Sequence, residues 1–464
     1  MTMEVASAPV QPGKAETRRA GRTRQMIEGP IGPTLARLAA PNVLAMVVQA
    51  LMTIAEGVFA SQLGVDALAG LALIFPLVML TQMLAAGAMG GAISSAVARA
   101  LGAGAQDRAS GAVIAAWVIA GGAALASALL MAFFGRAIFE LLGGAGQPAE
   151  AALAYAAVFF PGCIALWLCH ATLSVVRGTG GMMFASLTLL CVSLVSIPFA
   201  GAFALGWGGL PALGMAGLAV GTVLAHAIGA LIAGVYLLSG AAGIALRRAR
   251  VTTDIFRDIL GVGLIASANS VLTVLTIILM VGAVGRHGEA ALAGYGLGAR
   301  LEFLMIPIVF GIGAAMTAMV GANIGAGQKQ RAFRIAWTGS VAAALIVGSI
   351  GMIVAIWPDL WLGLFLSETD GAPLVAGRTY FRIVAPFYGF FGIGLALYFA
   401  SQGAGRLLWP FLGGVARICV AVGGAIVLAR VTDLGVSAVF IAIAAGMCVY
   451  GIFVVSPLLV TRWR

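Results

Sequence analysis

The chain has 464 residues, of which 62% are hydrophobic and 9% are charged, and its mean hydropathy is +1.08. Soluble domains carry about 25% charged residues, so this composition excludes a soluble globular protein and indicates a chain that crosses a membrane several times. The net charge of +10 comes from basic residues scattered through short loops, without the aromatic-interleaved basic face of a nucleic-acid-binding protein. We therefore expect the lipid bilayer as a partner, and no nucleic acid.

Residues 1–27 are polar and lack the apolar segment of a secretory signal, so we interpret them as a disordered cytoplasmic tail. The rest of the chain contains twelve apolar runs of about 20 or more residues, each long enough to cross a bilayer as a helix. These runs lie near 35–61, 68–97, 110–134, 152–176, 184–206, 212–238, 259–284, 291–320, 333–357, 380–402, 408–431 and 435–460. The pattern predicts an all-α integral membrane protein with twelve transmembrane helices.

The loops between these runs alternate in charge. Basic residues precede the first run and recur in every second loop, for example at Arg108, Arg177 and Arg331. The intervening loops carry mainly acids, such as Asp66 and Glu289. Because basic loops stay on the cytoplasmic side, the alternation predicts that both termini are cytoplasmic.

The two halves of the chain resemble each other. Tyr155 and Pro161 return as Tyr380 and Pro386, and the Gly-Ala-Gly of residues 102–104 returns at an offset of about 223 to 225 residues. A repeat with an even number of helices keeps its orientation, so we predict two pseudo-symmetric six-helix lobes around a central cavity. The first lobe would cover residues 28–238, a basic cytoplasmic linker residues 239–257, and the second lobe residues 258–464.

Two acidic residues fall within the apolar runs, Glu56 and Glu302. An ionised carboxylate in hydrocarbon costs several kcal/mol, so each should face a cavity or a partner, or carry a proton. A carboxyl group that burial keeps protonated near neutral pH is suited to carrying protons. Both are therefore candidate ion-coupling residues. The repeat places Met280 opposite Glu56, so the two halves are not chemically equivalent.

The first run carries a polar stripe that leads to Glu56. Asn42, Gln49 and Glu56 are spaced by seven residues, and Thr53 precedes Glu56 by one helical turn. These side chains share one face of the helix, which we expect to line the cavity. The alternative is that Glu56 is a solvated acid among the lipid headgroups.

The second half offers further candidates for the cavity lining. Arg300 lies two positions before Glu302, so the two side chains point in different directions, and the alternative to a transport role is a structural ion-pair network. Asn269 and Thr273 form a polar stripe in the seventh run, for which helix packing is the alternative. Tyr388 belongs to a group of aromatic and methionine residues that suit the walls of a promiscuous cavity or, alternatively, the core.

Other chemistry is poorly represented. His170 and His226 lie alone in apolar runs without metal-ligand spacing, so we expect no metal site. The sequence has no P-loop, nucleophile elbow or metalloprotease helix, and we expect neither a cofactor nor enzymatic activity.

Several stretches together resemble the multidrug and toxic compound extrusion (MATE) family, and most closely its proton-coupled DinF-like branch. The resemblance covers essentially residues 30–460 and rests on residues 41–69, 101–109, 213–217, 294–302 and 321–332. It implies two lobes around a V-shaped cavity. It also implies export of organic cations and other amphiphiles in exchange for H⁺ or Na⁺.

Glu56 occupies the place at which many bacterial members carry an Asp that carries the coupling proton. Similar members pair an Asn with an Asp on the fifth helix, where this chain offers Ser193 and Ser196. Carboxylates that another branch carries in its second lobe are also missing, which argues against a multi-ligand Na⁺ site. The resemblance therefore favours protons, with Na⁺ as the alternative.

The sequence thus predicts a monomeric antiporter of the bacterial inner membrane that exports amphiphilic or cationic drugs in exchange for protons. The alternative is a lipid or lipid-linked oligosaccharide flippase of the same superfamily. A flippase would require several cationic cavity residues, whereas Arg300, Arg382 and Arg417 are the basic residues near the spans. An integral-membrane enzyme or a channel would require a catalytic set or a charged filter, which we do not find in the sequence.

Overall fold

This computed structural model describes residues 14–246, 249–367 and 371–461, and the side chains of residues 14, 51, 53 and 457–461 lie outside the described part. The described residues form helices joined by short turns and loops, without a strand among them. Twelve helical stretches are long and apolar enough to cross a bilayer, which confirms the twelve predicted spans.

The helices follow the chain in two similar series. The first series is α1 (Lys14–Glu28), α2 (Ile31–Leu63), α3 (Val65–Gln82), α4 (Gly90–Gly102), α5 (Gln106–Leu141), α6 (Gly146–Gly178), α7 (Met182–Leu205) and α8 (Met215–Leu238). The second series is α9 (Thr253–Gly285), α10 (Glu289–Gly325), α11 (Lys329–Ile356), α12 (Asp359–Leu362), α13 (Gly371–Val384), α14 (Tyr388–Gly403), α15 (Leu408–Val431) and α16 (Val436–Thr461). A π-helical turn at Met83–Met89 joins α3 to α4 in one span, and a 3₁₀ turn at Ala385–Phe387 joins α13 to α14 in another.

Helix α1 corrects one prediction. The tail predicted as disordered over residues 1–27 is helical from Lys14 to Glu28, while residues 1–13 lie outside the described part. Met26 is only 1% exposed and belongs to the apolar core of the second half. The Asn323 side chain donates a hydrogen bond of 2.9 Å to the backbone oxygen of Met26. The sequence did not predict this helix because few of its residues are apolar and the contact that holds it is distant in sequence.

We call the end of the bundle at which α2 begins and α4, α6 and α10 finish the basic end, because Arg99, Arg177 and Arg331 lie there. The first span of each half changes partners along its length. Near the basic end, the buried apolar residues within 35–39 of α2 belong to the apolar core of the second half (the second core), whereas those at 59–60 belong to the apolar core of the first half (the first core). The buried apolar residues within 255–266 of α9 belong to the first core, whereas those within 280–284 belong to the second. Each half therefore uses the other's first span to close the basic end.

Two glycines bring the halves together at the basic end. A Cβ atom on Gly102 would lie 2.0 Å from the carbonyl oxygen of Ala322, and one on Gly325 would lie 2.1 Å from the carbonyl oxygen of Arg99. Because Gly102 and Ala322 of one contact correspond by the repeat to Gly325 and Arg99 of the other, α4 and α10 cross pseudo-symmetrically. The backbones approach so closely that neither position has room for a side chain.

Polar contacts reinforce this crossing. The Arg99 guanidinium pairs with the Asp258 carboxylate at 2.8 Å and donates to the backbone oxygen of Gly403 at 3.1 Å. Ser95 donates to the backbone oxygen of Gln402 at 2.7 Å. These bonds join α4 of the first half to α9 and α14 of the second, so the basic end is closed in this structure.

Candidate functional site

A cavity of about 100 Å³ lies between the two halves. Its polar lining includes Asn269 and Thr273 of α9, and its aromatic lining comes from α10, α14 and α16. The aromatic lining residues are Phe310, Phe391, Tyr398, Phe399 and Tyr450. An apolar, aromatic wall with a few polar groups is typical of sites that bind small organic molecules.

Arg417 of α15 is the one charged residue among the described residues that line this cavity. Its guanidinium carbon lies 5.4 Å from the ring centre of Phe391 and 5.9 Å from that of Tyr450, which are cation–π distances. In the described part of the chain Arg417 has neither an ion pair nor a hydrogen bond. Its guanidinium is therefore in direct contact with aromatic faces, and its electrostatic interaction with the Glu302 carboxylate acts over a longer distance.

A second, smaller cavity of about 10 Å³ adjoins the first, and the two share Gly87, Phe310 and Phe399 in their linings. Arg177, at the end of α6, lines the smaller cavity and is 2% exposed. Its Nε and Nη2 atoms have no hydrogen-bond partner in the described structure. Ser94 and Ser174 line the same cavity, and their hydroxyl groups are also buried without a partner.

Glu56 lies in the first half, near the end of α2 that faces away from the basic end. It is 9% exposed, and the Thr222 hydroxyl of α8 donates a hydrogen bond of 2.7 Å to Glu56 Oε1. Tyr155 of α6 is 1% exposed and interacts electrostatically with Glu56. The acid is thus enclosed by α6 and α8 and does not stand in open solvent.

The two histidines that the sequence places alone are neighbours in the fold. The ring centres of His170 on α6 and His226 on α8 lie 5.8 Å apart. His226 Nδ1 lies 2.8 Å from the backbone oxygen of Thr222. Because a carbonyl oxygen only accepts, Nδ1 carries the proton in this contact. Thr222 therefore contacts both residues, Glu56 through its hydroxyl and His226 through its backbone oxygen.

Glu302 lies in a tyrosine cluster of the second half. The Tyr380 hydroxyl donates a hydrogen bond to Glu302 Oε1. Tyr295 and Tyr388 also interact electrostatically with this carboxylate, as does Arg417. Glu302 is not among the described residues lining the cavities.

The remaining residues predicted on the first half fall in different places. The Asn42 side chain donates to the backbone oxygen of Gly311 at 3.3 Å, at the contact between α2 and α10. Gln49 is half-buried, and the side chain of Thr53 lies outside the described part of the structure. Ser193 and Ser196 are buried in α7. Asn42, Gln49, Ser193 and Ser196 are absent from the described linings of the two cavities.

Two predicted lining residues of the second half also lie elsewhere. Arg300 is exposed, with its guanidinium carbon 5.7 Å from the ring centre of Phe365. Tyr388 is fully buried in the second core. The structure thus brings Asn269 and Thr273 together at the cavity and separates them from the other candidates.

Several residues of the site were not predicted from the sequence. Thr222 lies 166 residues from Glu56 in the chain, and no motif connects the two. Arg417 was identified as a basic residue near a span, but nothing in the sequence placed it in the cavity. A signal was present for Arg177, because the repeat aligns it with Gln402, a buried amide of α14.

Comparisons with known proteins agree with this architecture. The family model described as MatE matches residues 41–201 and 265–428. The probable multidrug resistance protein YoeA of Bacillus subtilis is 26% identical over 422 residues, which cover 89% of this chain and 90% of that protein. An FAD transporter of Shewanella oneidensis is 22% identical over 311 residues, covering 66% of this chain and 68% of that one.

Solved structures show the same fold. A MOP superfamily transporter from Pyrococcus furiosus superposes with a TM-score of 0.84 at 24% identity, and the match covers 96% of both chains. A MATE protein in complex with MaD3S gives a TM-score of 0.84 at 24% identity, covering 95% of this chain and 96% of that one. These matches confirm the predicted two-lobe arrangement of twelve helices.

The family match covers more than half of the chain and spans both repeats. Its members are transporters and not enzymes, which agrees with twelve membrane-spanning helices around a central cavity. The chain is a multi-pass membrane protein that belongs to the MatE family of multidrug efflux transporters.

Proposed function

We propose that this protein is an antiporter that exports amphiphilic small molecules in exchange for protons. The observation that carries the proposal is the enclosure of Glu56 between α2, α6 and α8, with a single described hydroxyl donor, that of Thr222, on its carboxylate. A carboxylate in this setting costs several kcal/mol unless it is protonated or hydrogen-bonded. Taking up and releasing a proton therefore changes the free energy of this part of the fold substantially.

The position of α2 explains how such a change would reach the cavity. The helix packs on the second core near the basic end and on the first core near Glu56. A shift of α2 on protonation of Glu56 therefore acts on both halves at once. Each proton that moves down a potential of 100 mV supplies about 2.3 kcal/mol for this work.

Protons are favoured over Na⁺ by the chemistry around Glu56. The described groups near its carboxylate are the hydroxyls of Thr222 and Tyr155. Hard cations prefer six or more oxygen ligands, including several carboxylates or carbonyls. The exchange of organic cations in particular stays a prediction from the family resemblance. The lipid flippase remains the second candidate.

The proposal includes a monomer in the bacterial inner membrane with both termini in the cytoplasm. The distribution of charge supports this orientation, because Arg99, Arg177 and Arg331 all lie at one end of the bundle. The basic end would then be the cytoplasmic end. A fluorescent reporter fused after Arg464 should therefore be bright in the cytoplasm.

Substitution of Glu56→Gln tests the proton-coupling role. Glutamine keeps the shape and accepts a hydrogen bond from Thr222, but it neither binds nor releases a proton. In proteoliposomes, uptake of a fluorescent amphiphile driven by a pH gradient is expected to fall at least about tenfold, to the level of empty vesicles. Exchange between equal substrate pools without a gradient should persist.

The matched control is Glu140→Gln, which changes an exposed acid at the same end of the bundle as Glu56. This variant should keep gradient-driven uptake within a factor of about two of the unaltered protein, as surface substitutions usually do. Normal gradient-driven uptake by Glu56→Gln, at equal protein levels, would show that the coupling proton is carried elsewhere. Uptake that responds to a Na⁺ gradient in place of a pH gradient would assign the other ion.

A further inference from the structure

The charge of the central cavity points to the chemistry of its ligand. We propose that the cavity binds aromatic small molecules that carry a carboxylate or phosphate group, and that Arg417 holds this anionic group. The inference rests on the proposed function only in taking the cavity as the substrate site. It specifies the substrate class, which the family resemblance alone would assign to organic cations.

The walls of the two cavities carry an excess of positive charge. Arg417 lines the larger cavity, Arg177 lines the smaller one, and no Asp or Glu occurs among the described residues that line either. A cation in a low-dielectric wall attracts anions and repels cations strongly. A ligand that carries a positive charge would enter this space against two like charges. The Glu302 carboxylate offsets part of the Arg417 charge, but it lies outside the described linings of both cavities.

The Arg417 guanidinium is available to bind a ligand. Its guanidinium carbon lies over the rings of Phe391 and Tyr450, and Glu302 interacts with it electrostatically. The described structure gives its N–H groups no hydrogen-bond acceptor, so they are available to a ligand. These N–H groups match the two oxygens of a carboxylate or phosphate in a bidentate pair. Aromatic contacts also limit the rotamers of Arg417, which reduces the entropy lost when the ligand binds.

The aromatic lining of the cavity suits an aromatic body on the ligand. Phe310, Phe391, Tyr398, Phe399 and Tyr450 surround the cavity, whereas its remaining polar groups are neutral hydroxyls and amides. Flat aromatic rings pack against such walls in offset or edge-on contacts. The combination of an aromatic wall and one arginine suits an aromatic acid better than an aliphatic amine.

Arg177 supports this assignment from the opposite half. The repeat pairs it with Gln402, whose side-chain amide donates to the backbone oxygens of Gly87 and Ala88 at 3.1 and 2.9 Å. The amide nitrogen of Gln402 thus has partners, whereas its Oε1 atom and the Nε and Nη2 atoms of Arg177 are buried without one. A buried cation without hydrogen bonds is costly, so we infer that Arg177 meets the anionic group when the basic end opens.

The test is a binding measurement on the purified full-length protein in nanodiscs of phosphatidylcholine, at one pH and without any gradient. The probes are 2-naphthoate and a trimethylammonium naphthalene of similar size. Binding of each probe is measured by calorimetry. We expect 2-naphthoate to bind at least about tenfold more tightly than the cation. Arg417→Gln should weaken binding of 2-naphthoate about tenfold and leave the cation unchanged or improved.

Arg300→Gln is the matched control, because it removes the same charge from an exposed arginine that stacks on Phe365 outside the cavity. It should change neither affinity. Arg417→Lys keeps the charge without the bidentate geometry and should restore part of the binding of 2-naphthoate. Equal losses for both probes in Arg417→Gln would instead show that Arg417 only balances Glu302, and the proposal would be wrong.

Two further outcomes are decisive. If phosphatidylglycerol in the nanodisc abolishes binding of 2-naphthoate to the unaltered protein, the site takes a lipid headgroup and the assignment to small molecules fails. Tighter binding of the cation would overturn the substrate class. Because no gradient is used, these results are independent of proton coupling, which the Glu56→Gln transport assay tests separately.

Discussion

Thr222 is the residue through which α8 reaches the buried acid of α2. Its hydroxyl donates to Glu56 Oε1, and its backbone oxygen accepts from His226 Nδ1. A hydrogen bond to a charged group contributes about 1.5–3 kcal/mol, and here it favours the ionised carboxylate over the protonated acid. If Glu56 carries the coupling proton, as we propose, the threonine helps to set the pH at which that proton is exchanged.

Substitution of Thr222→Val removes this donor while keeping the shape of the side chain. The carboxylate is then less favoured, so Glu56 holds its proton up to a higher pH. The pH profile of gradient-driven uptake is expected to move upwards by about one pH unit or more. Thr188→Val, which removes a hydroxyl bonded only to its own helix, should leave the profile in place. If the pH profile of Thr222→Val is unchanged, Thr222 does not influence the proton site and the prediction is wrong.

The depth of Glu56 in its helix could be predicted from the sequence, because the length of an apolar run fixes how far a residue lies from the membrane surface. The identity of its partner could not be predicted, since helical periodicity defines a face but not the helix that covers it. The same limit explains Arg417 and Arg300. Both are arginines near spans, yet packing places one at the cavity and the other on an exposed surface.

Helix α1 packs against the basic end and contacts both halves of the protein there. Met26 packs into the second core, and its sulfur and methyl group also lie near Gly180 in the loop between α6 and α7. The Arg22 guanidinium donates to the backbone oxygen of Ala242, beyond the end of α8, at 3.5 Å. This short helix thus contacts both halves of the protein.

Substitution of Met26→Ala is expected to loosen this contact. Truncation of a buried methionine costs about 2–5 kcal/mol, and part of this cost would appear as local release of α1. Amide hydrogen exchange should accelerate in residues 14–28 and change little in α5 or α16. Arg18→Ala, an exposed change on the same helix, serves as the control. If the amide hydrogens of α1 still exchange slowly in Met26→Ala, the polar contacts of α1 are sufficient to hold it in place.

The twelve spans were predictable because each one leaves a long apolar run, whereas the exchange of partners along α2 and α9 was not. Leu35 and Leu38 near one end of α2 are as apolar as Phe59 near the other, and only the fold shows that they belong to different cores. The π-helical turn at Met83–Met89 was also missed, because π-helical turns have no sequence pattern that distinguishes them from the α-helix around them.

For the whole molecule, the repeat produces a crossing of α4 and α10 at the basic end in which Gly102 and Gly325 play equivalent roles. A leucine at either glycine would clash with a backbone carbonyl, so the halves must separate to accommodate it. The closed arrangement should then lose population in favour of arrangements in which the basic end is open.

This expectation can be measured by labelling of Ser95→Cys with a membrane-impermeant maleimide, in a background without the native cysteines. Gly102→Leu and Gly325→Leu are each expected to raise the labelling rate by about tenfold, which corresponds to a shift of about 1.4 kcal/mol in the equilibrium. Gly121→Leu, at a position with open space around it, should not change the rate. Unequal effects of the two crossing substitutions would argue against their equivalence.

The same crossing also limits how gradually the transporter can move. Each glycine lies directly against a backbone carbonyl of the other helix, which leaves no room for a side chain between the two backbones, so a half-closed state lacks contacts of its own. The gate formed by Gly102 and Gly325 should therefore behave as a switch with two positions. Single-molecule distance recordings across it would then show abrupt steps between two distances and no gradual drift.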